Sequence, residues 1–354
     1  MTQKQLNFGT SLSLTQCATL IASAPQVRFL LKGEPGIGKT ALLKLLEVKL
    51  PDYKMVYIDV PNLDLGDISM PVIDRDTKTT TYYPNARFSL HTGEKVCIVL
   101  DEFTKGFDPV KNMLHPMLNE NRLGDVRLHT DTIVFMTGNQ GSDNVGDTLK
   151  AHSKNRITTI TVKKPTAEQW VQWGIRHDID STILAFAKQY PHIFDSYTDN
   201  HASDNPYIYN PKRQQEAFVS PRSLEKASHI VKAREHLDSD TVIAALAGTC
   251  GESFAKDFHV YLECADQLPT KETVLKSPLT ATVPDSPAAQ AIMVFGGVTW
   301  VDKATLSPFL KYLERLPSEW QAVFCINLAK SSKQNMAFQN RDFSEWVAKN
   351  QDLL

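Results

Sequence analysis

The chain has 354 residues, 42% hydrophobic and 22% charged, with 38 Lys and Arg against 40 Asp and Glu for a formal charge of −2. That length accommodates two domains, or one large domain with an appendage. The near-neutral balance argues against a whole-surface footprint for nucleic acid, though it leaves a local basic channel open. No apolar signal core follows Met1, and the longest nearly apolar run, residues 291–301, is too short to span a bilayer; a cytoplasmic protein without membrane association is expected. The five cysteines (Cys17, Cys97, Cys250, Cys264, Cys325) include no C-x-x-C pair and the ten histidines no H-E-x-x-H pattern, so neither disulfides nor a structural metal is expected.

In chain order, residues 11–24 carry helical spacing, with Leu12, Leu14, Leu20 and Ile21 apolar. The apolar run Val27-Arg28-Phe29-Leu30-Leu31 then leads as a strand into Gly33-Glu34-Pro35-Gly36-Ile37-Gly38-Lys39-Thr40, and a helical stretch starts at Ala41. A strand, a G-x-x-x-x-G-K-[ST] loop and a helix in that order read as a phosphate-binding site. The glycines let backbone N–H groups curl inward as a nest. The nest opens onto a helix N-terminus that favours negative charge. Lys39 is placed to bridge β- and γ-phosphates, and the Thr40 hydroxyl to help hold Mg²⁺.

Residues 55–60 read as a buried strand ended by Pro61-Asn62. Residues 68–83 follow, the second part of them a hairpin with a polar tip: either an exposed β-turn or a loop projecting toward a partner or a central pore. Val96-Cys97-Ile98-Val99-Leu100 is a fully buried parallel strand ending in Asp101-Glu102. Asp108-Pro109 opens a helix over residues 110–120. Leu123-Gly124-Asp125 turns the chain toward a buried strand, residues 133–137, that ends at Gly138-Asn139-Gln140, and residues 157–162 form a fifth strand. Strands interleaved with helices indicate an α/β parallel sheet with ligands beyond the carboxyl ends of its strands. The glycine loop, Asp101-Glu102 and Asn139 all lie just past apolar strands and converge on one crevice. There Asp101 can reach Mg²⁺ directly or through water, Glu102 can act as general base on the attacking water, and Asn139 can position that water or touch the γ-phosphate.

After Lys163-Lys164-Pro165 the pattern turns helical. A capped start at Thr166 places Trp170 and Trp173 on one face as packing residues. A second helix covers 181–190, residues 195–215 read as an exposed loop, and Ser220-Pro221-Arg222 opens a third helix. One or two helices fill 238–267. Residues 268–287 carry four prolines and read as a linker or extended strap; the rest is helical, with Trp320 and Trp346 as anchors.

The loop at 33–40, the segments 96–103, 133–139 and 151–157, and Ser220-Pro221-Arg222 together resemble the AAA+ ATPases, specifically the MoxR-like and dynein-related branch, over about residues 10–240. The resemblance implies a P-loop NTPase core with a five-stranded parallel sheet in residues 1–164, carrying a hairpin insert near 68–83. It implies an all-α lid, placed at 165–267; beyond the resemblance, residues 268–354 read from their own pattern as a Pro-rich linker and helical extension. ATP and Mg²⁺ are the implied ligands. Gly33, Glu34, Pro35, Gly36, Ile37, Gly38, Lys39, Thr40, Ala41, Asp101 and Arg222 would contact nucleotide, Thr40 and Asp101 the metal, and Glu102, Asn139 and Arg156 the chemistry. Arg156 corresponds to the finger reaching a neighbouring subunit's γ-phosphate, and Arg222 to the sensor 2 arginine. Arg122 is a further candidate for reaching across an interface. The segment departs from relatives at Lys154, where an arginine is common. A ring, usually a hexamer, is implied, acting on a protein client, commonly with a von Willebrand factor A-type partner. A nucleic-acid motor and an ATP-gated scaffold with little turnover are the competing readings.

Overall fold

In the computed structural model the described residues are 11–139, 155–199, 202, 204–350 and 352. Gln140, residues 151–154 and the Thr40 side chain, all part of the sequence reading, lie outside them. Two compact units form, Met1–Lys164 and Pro165–Leu354.

The described part of the first unit begins with a strand, β1 (Ser11–Leu12), not with a helix. The reason is Ser13: its hydroxyl accepts from the Gln16 N–H while the Gln16 side chain accepts from the Ser13 N–H, a capping box that starts helix α1 at Leu14 (Leu14–Ser23). The two residues before the cap are left extended, and they pair with Thr161 and Val162. Then follow β2 (Phe29–Gly33), a 3₁₀ turn (Lys39–Ala41), α2 (Leu42–Lys49), β3 (Lys54–Asp59), β4 (Ser69–Asp74), β5 (Thr79–Pro84), β6 (Val96–Asp101) and α3 (Asp108–Asn119). The last strands are β7 (Arg122–Leu123), β8 (Val126–Arg127), β9 (Ile133–Asn139) and β10 (Thr158–Val162). Among the described residues the main sheet has six parallel strands in the order β1-β10-β2-β9-β6-β3, one more than expected because of β1.

Period-two alternation divides the sheet's apolar residues between two cores. Phe29, Leu31, Cys97, Val99, Ile133 and Phe135 pack with residues of α1 and α2 on one face. Leu30, Ile98, Leu100, Val134 and Met136 pack with Val110, Leu114 and Met117 of α3 on the other. Strand β3 is an edge, so it is only half buried: Val56 and Ile58 point inward while Tyr57 is 46% exposed. Strands β4 and β5 form the antiparallel hairpin, and β7 and β8 a second, shorter one.

The second unit is helical, and its cap chemistry matches the sequence. Thr166 with Gln169 and Ser220 with Ser223 form capping boxes at the starts of helices Ala167–Arg176 and Pro221–Lys232. The apolar run near residue 291 becomes a helix, Pro287–Trp300, buried on all sides. Its Ala291, Ile292 and Phe295 join a core with Trp170, Phe186 and Phe258. Its Met293, Val294 and Val298 join another with Phe309, Phe324 and Phe343. A helix apolar around its whole girth belongs inside a core; none among the described residues is long and apolar enough to cross a membrane. The proline-bearing stretch before it is not an extended strap. It holds a helix, Lys271–Lys276, capped by Thr270, and it buries Val274 and Ala281 in the second of those cores.

Candidate active site

The sheet register brings three segments of the sequence to one edge. Gly33 closes β2 opposite Asn139, the last residue of β9, and Asp101 closes β6 opposite Asp59 of β3. The glycine loop leaves β2 with Gly36 at φ 75° and Gly38 at φ 98°, backbone conformations that side-chain-bearing residues rarely adopt. It ends in the 3₁₀ turn Lys39–Ala41, and α2 starts at Leu42, one residue later than the sequence indicates. Ala41 makes no side-chain cap at that helix start.

Lys39 is buried, 6% exposed. Its ammonium donates to the carbonyls of Gly33 (2.9 Å) and Glu34 (3.0 Å) and to Asn139 Oδ1 (2.7 Å). Asn139 Nδ2 donates in turn to Glu102 Oε2 (3.0 Å). Three positions spread over 100 residues of sequence, Lys39, Glu102 and Asn139, thus form one hydrogen-bonded chain. The Glu34 carboxylate and Lys164 ammonium, both buried, face each other at 3.9 Å behind the loop.

The two acids differ in setting. Asp101 is buried, and both of its oxygens accept from hydroxyls: Oδ1 from Thr137 and Oδ2 from Tyr57 at 2.8 Å. Glu102 sits in the left-handed region at φ 51°, ψ 34°, where the chain leaves β6 for a 3₁₀ turn, Phe103–Lys105. Its N–H donates to Thr137 Oγ1 (3.1 Å), and Lys105 Nζ lies 3.0 Å from Glu102 Oε2.

Gly33, Glu34, Pro35, Gly36, Ile37, Gly38, Lys39, Ala41, Asp101, Glu102 and Asn139 therefore gather at one sheet edge, together with the backbone of Thr40. Arg156 does not. It is exposed on a turn just before β10, whose first residue, Thr158, pairs with Phe29 at the amino end of β2. Arg222 is exposed in the first turn of helix Pro221–Lys232, in the second unit. Arg122 is held locally by Glu120 (2.7 Å) and the Gly124 carbonyl (2.9 Å). The sequence reading passed over Thr137, Tyr57 and Lys105. For Thr137 a signal existed: it is a polar residue inside an otherwise apolar strand, two positions before Asn139 and so on the same face of the sheet.

Residues 28–156 match the family model of the AAA domain, dynein-related subfamily. No curated protein matches the chain. Solved structures similar to it include a protein of Cytophaga hutchinsonii described as an ATPase (15% identity over 69% of this chain and 83% of that one, TM-score 0.35). Another is NtrX from Brucella abortus in complex with ADP (15% identity, 98% and 69%, TM-score 0.35). A third is the RuvB Holliday junction branch migration motor of Thermotoga maritima (14% identity, 85% and 86%, TM-score 0.36).

Proposed function

We propose that this chain, whose residues 28–156 match the family model of the AAA domain, dynein-related subfamily, is an ATP-hydrolysing motor of the MoxR-like kind. It works as a ring, a hexamer by family habit, and remodels a protein client, with a von Willebrand factor A-type adaptor as the partner class. The observation that carries this reading is the chain Lys39–Asn139–Glu102, which ties the phosphate loop to a carboxylate able to act as base. In the working cycle Lys39 exchanges loop carbonyls for β- and γ-phosphate oxygens. Asn139 is then free to orient water against the γ-phosphate, and Glu102 accepts the water's proton.

The donor set suits Mg²⁺. Asp101 is a hard carboxylate ligand at the strand end, and among the described residues no group of three or more His, Cys, Asp or Glu could hold a metal alone. Mg²⁺ commonly takes one or two carboxylates and completes its shell with waters and substrate phosphates; when bound it supplies charge neutralisation on those phosphates. Asp101, with Thr40, would hold it. By the family's pattern residues 165–267 correspond to the lid and Arg222 to its sensor 2 arginine. A protein client is favoured over nucleic acid by the formal charge of −2 and by a β4–β5 hairpin whose only cations are Arg75 and Lys78.

The test is Glu102→Gln in the full chain. It is expected to bind ATP as tightly as the unaltered protein while hydrolysing it at least ~10²-fold more slowly, the lower range for loss of a general base. Turnover at the unaltered rate, or an unaltered chain with no affinity for ATP, refutes the reading.

A further inference from the structure

We infer that Thr137 is the positioning residue for Glu102: its hydroxyl holds the backbone of the base in the one conformation from which the carboxylate meets water. The inference rests on the hydrolytic reading above and adds a residue to it. Thr137 is fully buried, 0% exposed, on β9. Its single hydroxyl proton is given to Asp101 Oδ1, since the Glu102 N–H is a donor only and can take none. With the proton so committed, the oxygen's lone pairs are left for the Glu102 N–H, which lies 3.1 Å away. One hydroxyl therefore fixes both acids, and its bond order cannot reverse.

Glu102 needs such a hold. Its left-handed backbone, φ 51° and ψ 34°, is disfavoured for any residue with a Cβ and persists only where surroundings impose it. Thr137 grips its N–H, Asn139 grips its carboxylate, and both come from the same face of β9, two residues apart. The Glu102 carbonyl accepts from the Lys105 N–H at 2.9 Å, closing the turn. Burial excludes the ordinary substitute: no solvent reaches Thr137 to satisfy the Glu102 N–H if the hydroxyl is removed. Relaxation of that backbone toward commoner angles would swing the carboxylate away from Asn139. Misplacement of a reacting group acts on the chemical step and spares ground-state binding.

The experiment uses the full chain with Mg-ATP and compares Thr137→Val, Thr137→Ser and Tyr57→Phe. Valine keeps the shape and deletes the hydroxyl; it is expected to lower kcat at least ~tenfold with the ATP dissociation constant, read by titration of a fluorescent analogue, within about threefold. Serine restores the hydroxyl and should return kcat to within about threefold of the unaltered chain. Tyr57→Phe removes a hydroxyl bond to Asp101 without touching Glu102, so its smaller loss of kcat measures the Asp101 share of the effect. Should the valine variant lack a cooperative thermal transition, Thr137→Ala is read by the same split. An unchanged kcat, a parallel loss of ATP binding in a folded variant, or no recovery with serine overturns the inference. If the unaltered chain itself does not hydrolyse ATP, the proposed function fails instead; if it does and valine matches it, only the role of Thr137 fails.

Discussion

Lys39 is satisfied by two loop carbonyls and one amide oxygen in a buried place, so it braces the loop that the proposed function assigns to phosphate. Lys39→Ala strips a cation from the ligand and leaves those buried acceptors unpaired. The expected loss of ATP affinity is at least ~tenfold, about 1.5–3 kcal/mol for a charge-assisted bond, read by equilibrium titration. The cysteines allow a check of burial that is independent of nucleotide. Burial pushes the Cys17 thiol up to about 11 and those of Cys97, Cys250 and Cys325 up to about 12, whereas Cys264 is exposed. A raised thiol pKa leaves less thiolate, the reactive form, at pH 8. A thiol-exchange assay at that pH should titrate Cys264 fast and release the other four only in denaturant; rapid labelling of Cys97 would contradict the packed sheet. The gathering of the loop residues, Asp101, Glu102 and Asn139 at one sheet edge was legible because each position follows a local pattern of strand then polar residue. Thr137 and Tyr57 were not, because what they touch depends on strand register, which no local pattern states.

At the scale of elements, the β4–β5 hairpin shows how a predicted piece acquires an unpredicted anchor. Its apolar residues are largely in solvent: Met70, Val72, Ile73, Tyr82 and Tyr83 are 46–72% exposed. Hydrophobic burial therefore contributes little to holding it in place. Backbone geometry does: the Asp125 N–H donates to the Tyr82 carbonyl (2.9 Å), and the Tyr82 N–H to the Asp125 carboxylate (2.7 Å), joining the hairpin to the β7–β8 turn. Gly124 permits this approach, since a Cβ there would lie 2.4 Å from the Tyr82 carbonyl oxygen and its φ is +56°. Gly124→Val should release the hairpin, with a stability loss of about 1–3 kcal/mol at a left-handed site. Amide exchange over residues 69–84 should accelerate while residues 96–101 in the central sheet stay protected; equal protection in both would refute the anchor. The sequence reading marked Leu123-Gly124-Asp125 as a turn, which it is, but a turn signal does not name what docks against it. The same limit explains the C-terminal half. Prolines at 269, 278, 284 and 287 punctuate short packed segments, and the burial of Val274 and Ala281 depends on helices far along the chain.

At the scale of the molecule, Arg156 poses the question of assembly. Thr158 pairs with Phe29, and the loop begins four residues further along β2 at Gly33, a rise of about 13 Å at strand geometry. Arg156 lies before Thr158, at the opposite end of the strands from the loop, so in the proposed reading its guanidinium lies too far from a phosphate bound at its own chain's loop. A role in hydrolysis must then be played at another copy's site, where a cation on the γ-phosphate is worth roughly 10³-fold or more in rate. Arg156→Ala should be nearly inactive by itself, and so should Glu102→Gln. Mixed together, the two should regain turnover, because Glu102→Gln subunits lend an intact Arg156 to neighbours that keep an intact base. Specific activity of the unaltered chain should also rise with protein concentration as copies associate. Two outcomes remove the arrangement: an Arg156→Ala protein as active as the unaltered one, or a mixture that co-assembles and stays inert. Rescue in the mixture has no explanation within a single subunit, since neither variant holds both groups.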